Sequence, residues 1–198
     1  MNTSTSSLRA SLGLALVSLL LFGLLYTLAA TGLGGLLFPQ TATGSPIDRD
    51  GKVVGSALVA QPFAGERYFQ PRPSAANYDL MALAGSNQAR SNPDLRQRIT
   101  DTRAGVAARE GIAPEAVPGD LLTQSGSGVD PHISPEGARI QIARVAKARG
   151  LSPAQVEAWV ARHTEGPQFG LFGQPRVNVL ELNLALDVLT TAGAATAQ

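Results

Sequence analysis

Cysteine is absent from the 198 residues and histidine occurs only twice. A disulfide framework is therefore excluded, and a zinc site would have to be assembled from His132, His163 and carboxylates alone, which the spacing does not favour. Lysine is equally scarce, with Lys52 and Lys147 the only two, so no basic stripe is offered to nucleic acid. Charge is missing altogether from most of the beginning. The first 47 residues carry one charged side chain, Arg9, and every acidic residue lies from Asp48 onward. The chain thus reads as two objects, an apolar leader and a domain in which fifteen basic residues (sixteen less Arg9) balance fifteen acidic ones.

The run "LGLALVSLLLFGLLYTLAA", Leu12 to Ala30, is 19 uncharged residues with nine leucines. At 1.5 Å per residue it spans roughly 28 Å, close to the ~30 Å hydrocarbon core of a bilayer. The alternative is a cleaved signal peptide, against which the length of the run argues, as does Leu28 in the place of a small residue. The reading is a membrane helix over 10–33, behind a short cytoplasmic N-terminus at 1–9 that Arg9 holds inside. A linker follows at 34–50, then an exported domain over 51–190 and a flexible small-residue tail at 191–198. The domain is large enough to bury a core without disulfides. Gly23, Thr27 and Thr31 recur at four-residue spacing, which would let a second membrane helix approach closely.

Within the domain, "KVVGSALV" has β-branched content and predicts a short strand or hairpin from Val53 to Val59. The proline-rich stretch holding Tyr68, Phe69 and Tyr78 predicts an ordered loop. Asn92, Pro93 and Asp94 start a helix whose Leu95, Ile99, Thr102 and Val106 face inward, with Arg96, Arg103 and Glu110 outside. Ser134, Pro135 and Glu136 start another that Gly150 ends, with Ile142, Val145 and Ala146 inward. Ser152 and Gln155 form a capping box, Leu151 staples onto Val156, and Trp159 and Val160 pack inward. In "RVNVLELNLALDVL" the alternation of apolar and polar residues suggests a strand. Its leucines, alanine and glutamate are helix formers and Asn178 is a good N-cap, so the segment leans to helix. The fold class is α/β (α+β), a soluble domain anchored by one N-terminal transmembrane helix.

One stretch invites a chemical reading: "SGSGVDPHIS", Ser125 to Ser134. A serine hydrolase would draw on Ser125, Ser127, Asp130 and His132, but a nucleophile elbow requires glycine where Ser125 stands. Glycines ahead of a helix also suggest a phosphate cradle, yet the full P-loop pattern is absent and no lysine stands in or beside the loop. The plainer reading is a turn and a helix cap, with the alternatives of a ligand-contacting or a partner-contacting loop.

These residues resemble the KdpC family, the C subunit of the bacterial Kdp potassium-transporting ATPase. The markers run in order along nearly the whole chain: "LFPQTATGS" ending at Ser45, "YFQPRPSA" at 68–75, "GSN" at 85–87, "SNPDL" at 91–95, "SGSGVDPHISPE" at 125–136, "ARVAKARGL" at 143–151 and "GQPRVNVLELNLALDVL" at 173–189. Pro71 departs from the glycine often found there. The resemblance implies an accessory subunit without a catalytic centre, in the inner membrane, with the domain on the periplasmic side. Its expected partners are the lipid bilayer, a potassium-pore subunit of A type and an ATP-hydrolysing P-type subunit of B type. It further implies a catalytic-chaperone role that raises ATP affinity of the B-type subunit, for which Gln124, Ser125, Gly126, Ser127 and Gly128 would be the nucleotide contacts. No cofactor is expected to bind firmly; ATP would be met through the complex, whose transported ion is K+. Topology pulls the other way, because one span places that loop across the membrane from cytoplasmic ATP. A guard at the outer potassium entrance is the alternative, with Asp130 and His132 as polar contacts to a partner.

Overall fold

The computed structural model describes residues 3–195, with side chains from Ser7 to Leu189. The chain divides into two compact units, Met1–Pro46 and Ile47–Gln198.

The first unit is a run of helix: α1 (Thr3–Ser18), a π-helical segment (Leu19–Leu25), α2 (Tyr26–Leu37) and the single turn α3 (Pro39–Ala42). Ser7–Leu37 is long and apolar enough to cross a membrane. Helix therefore covers 3–37, wider on both sides than the 10–33 expected from hydropathy, and occupies part of the expected linker. The π segment changes the reading of the small-residue stripe. Thr27 and Thr31 lie one α-helical turn apart, but Gly23 sits in the wider turn, so the three do not share the face that regular α-helical spacing would give them. The Thr27 hydroxyl donates to the Phe22 carbonyl at 3.1 Å, taking up an acceptor within this segment.

The second unit begins with a hairpin, β1 (Pro46–Arg49) and β2 (Lys52–Ser56). Its turn is Asp50-Gly51, with φ of 55° and 76°; two successive left-handed residues make the tight turn that matches strand twist. The expected strand to Val59 ends early. The Ser56 hydroxyl accepts from the Leu58 amide and the Ser56 carbonyl from the Val59 amide, which turns the chain away.

After a long ordered loop come α4 (Pro93–Glu110), two 3-10 turns (Pro114–Ala116 and Gly119–Leu121), β3 (His132–Ile133), α5 (Pro135–Arg139), α6 (Ile142–Arg149), α7 (Pro153–Arg162), β4 (Thr164–Glu165), β5 (Arg176–Asn178) and α8 (Val179–Ala195). The antiparallel sheet has the order β3-β5-β4, with Val177 opposite both Ile133 and Thr164. The caps at Asn92, Ser134 and Ser152 all form, the last as a full capping box with Gln155. The helix expected from Ser134 to Gly150 is broken after Arg139. The Gln141 amide bonds the Ala138 carbonyl, three residues back, while the Gly137 carbonyl that an α-helix would give it accepts the Gln141 side chain instead.

The last segment resolves as β5 running into α8. Val179, Leu182, Asn183 and Leu186 are buried at helical spacing, while Val188 of the alternating series is exposed. Asn178 caps this helix through the Glu181 amide. The helix continues to Ala195, into the expected tail; residues 196–198 lie outside the described residues. The core joins Val106 of α4, Ala138 of α5, Val145 and Ala146 of α6, Val156 and Val160 of α7, Val177 of β5 and Leu182 and Leu186 of α8 around Phe69, which is fully buried. Phe69 belongs to no helix or strand. Its loop is held as a strand would be, by side-chain amides: Asn183 accepts from the Phe69 amide at 2.8 Å and donates to its carbonyl at 2.9 Å. Gln141 treats Gln70 in the same way, at 2.8 and 3.2 Å.

Glu110 corrects the face assigned to α4. Expected outside, it has a side chain 0% exposed, with Arg144 at 2.9 Å and Arg109 at 2.6 Å. Arg144 is itself 7% exposed and also donates to the carbonyls of Glu66 and Tyr68 and to Gln141. Desolvating a carboxylate is tolerable when two guanidinium groups receive it.

Candidate functional site

The 125–134 loop is built against the "YFQPRPSA" stretch, and Arg72 is the hinge between them. Its guanidinium donates to the Asp130 carboxylate at 2.8 Å, the Asp120 carbonyl at 3.3 Å and the Thr123 carbonyl at 3.5 Å. One planar fork thus ties the loop, at Asp130, to the two carbonyls of the stretch that leads into it. Ser74 secures the other side: its hydroxyl donates to the Gly128 carbonyl at 2.6 Å and accepts from the amides of Ala76 and Tyr78. Gln124 reaches the Ser74 carbonyl, and the Ser125 amide bonds the Pro73 carbonyl.

A second layer comes from the 76–85 loop. Asn77 and Tyr78 both have positive φ, 50° and 62°, a conformation costing roughly 1–2 kcal/mol for a residue with a Cβ. The Ser74 hydroxyl and the bond from the Tyr78 hydroxyl to the Arg72 carbonyl hold that turn in place. At its far end the loop returns to the Gly/Ser segment. A Cβ on Gly128, whose φ is +79°, would stand 2.8 Å from the Ala84 carbonyl oxygen, so only glycine fits. Between the two fixed ends, Leu80, Met81 and Leu83 are exposed, Met81 by 93%.

The amides that an anion cradle would need are partly spent inside the protein. Ser125 N–H bonds Pro73, Gly128 N–H bonds the Ser125 hydroxyl at 2.8 Å, and Val129 N–H bonds the Ser127 hydroxyl at 3.2 Å. Ser125 is buried, while Gly126 and Ser127 are exposed. Neither serine bonds His132, so no nucleophile and base are joined here. His132 instead lies with Nδ1 3.6 Å from Asp130, which also accepts from the His132 amide at 3.0 Å. Asp120, not singled out from the sequence, accepts from both the amide and the hydroxyl of Ser134 and so fixes the start of α5.

Burial pushes the Asp130 carboxyl up, but bonds from His132 and Arg72, together with the Arg72 charge, outweigh it and hold it at about 2 against an ordinary 3.8. A depressed folded-state pKa contributes stability above the unfolded pKa that disappears as pH falls through the folded one. The expected outcome is an advantage of wild type over Asp130→Asn of about 2 kcal/mol near pH 5, shrinking as pH falls from about 4 to 2. Urea unfolding of both proteins at several pH values measures it; an unchanging gap would show that the carboxylate charge is not what Arg72 holds.

A cleft of about 580 Å³ lies elsewhere, against α4 and α6, lined among others by Glu66, Arg109, Glu110, Arg144 and Lys147. The sequence did not point to it, because Arg144 sits in an ordinary helical run. A second cluster surrounds Asp187 of α8: Arg149 at 3.0 Å, with Arg49 and Arg67 each at 3.5 Å. Arg67 and Arg149 also lie over the Tyr68 ring. Both clusters tie helices to the Phe69 loop.

With this geometry in view, the comparisons are specific. The family model of KdpC, the c chain of K+-transporting ATPases, matches residues 8–188. A potassium-transporting ATPase KdpC subunit of Xanthomonas oryzae is 68% identical over 181 residues, covering 91% of this chain and 87% of that protein. The subunit of the same name from Shewanella putrefaciens is 54% identical over 180 residues, covering 91% and 88%. That from Kineococcus radiotolerans is 52% identical over 180 residues, covering 90% and 91%. The match runs through the apolar helix, the Arg72 hinge, the Gly/Ser loop and α8 alike, and the chain belongs to the KdpC family, the c chain of the K+-transporting ATPase.

Proposed function

We propose that this membrane-associated subunit, not an enzyme by itself, serves the potassium-transporting ATPase by docking its folded domain on the pore-bearing A-type and ATP-hydrolysing B-type subunits. The observation that carries the reading is the 76–85 loop. It is fixed at one end by Ser74 and Arg72 and at the other packs on Gly126 and Gly128, and it displays Leu80, Met81 and Leu83 to solvent. With both ends of the loop already fixed, ordering its backbone costs little on association, which suits the apolar side chains it carries as anchors. His132, 26% exposed beside Asp130, is a further polar contact for a partner in this reading.

The domain lies on the periplasmic side and the N-terminus in the cytoplasm of the inner membrane, a reading supported by Arg9 and the absence of any other charged side chain before Asp48. Any rise in ATP affinity of the complex then passes through the partner subunits and not through Gln124, Ser125, Gly126, Ser127 and Gly128. Supporting this, three amides of the 125–129 stretch already bond protein acceptors. K+ is the cargo of the complex and not a ligand of this chain.

The test is a Leu80→Ser/Met81→Ser/Leu83→Ser variant of the tagged full chain, recovered from membranes in mild detergent. The expected result is an unchanged melting temperature with partner recovery down by about 30-fold or more, the loss typical of removing an interface anchor. Undiminished recovery of the partners would overturn the assignment of this face. ATP titration of the assembled pump with wild-type and Gly126→Ala/Ser127→Ala subunits separates the nucleotide reading: an unchanged apparent affinity is expected.

A further inference from the structure

Between Glu165 and Arg176 the chain runs ten residues, "GPQFGLFGQP", without a charge. The segment closes on itself as a small hairpin outside the domain's main sheet. Gln168 and Phe172 exchange amide-to-carbonyl bonds of 2.7 and 3.0 Å, and the Gly170 amide bonds the Pro167 carbonyl at 3.0 Å. Phe169 and Gly170 turn the tip with φ of 55° and 72°. The result is a preformed finger whose large side chains all point into solvent: Phe169 is 84% exposed, Leu171 80% and Phe172 67%. Nothing in the core uses them. The charges at its base are matched to each other, Arg176 to Glu165 at 2.8 Å.

Three further facts bear on what covers this finger. The chain contains its own candidate membrane span, ending at Leu37. Only nine residues separate Leu37 from Ile47, where the folded domain starts, and at most ~3.5 Å per residue limits the tether to about 30 Å. The folded domain is thus joined to the span by a linker that is short beside a domain of some 150 residues, whose radius of gyration is about 15 Å. The finger, finally, has the chemistry of an interfacial anchor. Its tip is aromatic and aliphatic, its backbone is partly self-bonded, and it brings no charge that would have to be desolvated. A protein-docking patch would be expected to offer free charged or hydrogen-bonding groups around its apolar centre, whereas this segment offers only Gln168 and Gln174 and the Glu165–Arg176 pair at its base is matched to itself.

We infer that the Gly166–Pro175 hairpin dips into the bilayer interface, with Phe169, Leu171 and Phe172 among the lipid headgroups and upper acyl chains, and gives the domain a second membrane contact besides its helix. The inference rests on the membrane association of the subunit and is independent of which side the domain occupies. It is also independent of the docking face proposed above, which lies in another loop.

The absence of cysteine makes the test direct. Leu171→Cys is introduced into the full chain, labelled with an environment-sensitive fluorophore, and the assembled complex is reconstituted into phosphatidylethanolamine/phosphatidylglycerol vesicles with or without nitroxide-bearing lipid. Arg103→Cys, at an exposed position of α4, is the control. The expected result is blue-shifted emission at position 171 and quenching by nitroxide lipid several-fold stronger than at position 103. Adding Phe169→Ser and Phe172→Ser to the Leu171→Cys chain is expected to abolish the quenching, which excludes insertion driven by the label alone. Quenching no greater than at position 103 would overturn the inference, whether the emission is that of water or is blue-shifted by a protein neighbour. Quenching that survives the double serine change would overturn it as well.

Discussion

Replacing Glu110 with alanine is expected to cost about 3–5 kcal/mol of stability, the range seen when one partner of a buried ion pair is removed. The carboxylate is 0% exposed and receives Arg144 and Arg109 at 2.9 and 2.6 Å, so its loss leaves a guanidinium that is only 7% exposed with no counter-charge but the largely exposed Glu66 carboxylate, 3.7 Å away. Arg144 carries more than this pair. It also bonds the Glu66 and Tyr68 carbonyls and Gln141, so its failure loosens the loop that leads to Phe69. Arg144→Met is expected to cost a similar amount, and the double change clearly less than the sum, because the two residues act as one unit. Urea titration of the three variants measures this; additive costs, or a loss near 1 kcal/mol for Glu110→Ala, would show that solvent reaches the pair.

The second large effect is at Asn183. Its amide both accepts from and donates to Phe69, and the residue is 1% exposed. Asn183→Leu keeps the size of the side chain but strands a buried N–H and a buried carbonyl, each worth about 1–3 kcal/mol. A total of about 2–6 kcal/mol is expected, read from the unfolding midpoint, with the slope unchanged. A stability within 1 kcal/mol of wild type would mean that water or a shift of the loop satisfies both groups. This position bears on function because Phe69 and Gln70 lead into Arg72, and Arg72 gathers Asp120, Thr123 and Asp130.

Much of the architecture is legible in local chemistry. The caps at Asn92, Ser134 and Ser152 announce helices because each uses its own side chain on an amide within three residues. The helical character of "VLELNLALDVL" follows from residue type, although the alternating pattern argues for a strand. That pattern misleads because Asn183 is buried as a bonding group and Val188 is left exposed. Glu110 reads as solvent-facing for a different reason: a charge on a helix is placed outside when its partner, Arg144, lies 34 residues away and cannot be paired from spacing. The break after Arg139 depends on a Gln141 side chain reaching a loop 71 residues earlier. The Asp50-Gly51 turn, in contrast, is a local hairpin signal, and it places β1 inside the expected linker.

The site shows the same division. "SGSGVDPHIS" reads locally as a turn and a cap, and both are present. Its attachment to "YFQPRPSA" is invisible in sequence, since Ser74 and Gly128 lie 54 residues apart and Arg72 and Asp130 58. The same long reach sets Leu80, Met81 and Leu83 on a braced loop, which composition alone would pass over as ordinary surface.

The most direct measurement of the central claim, that this chain works only as a docked subunit, is recovery of the tagged full-length chain in mild detergent from native membranes under potassium limitation, followed by identification and quantitation of what accompanies it. The account predicts one pore-bearing and one ATP-hydrolysing subunit per chain. Recovery of the chain alone, folded and in quantity, would contradict it.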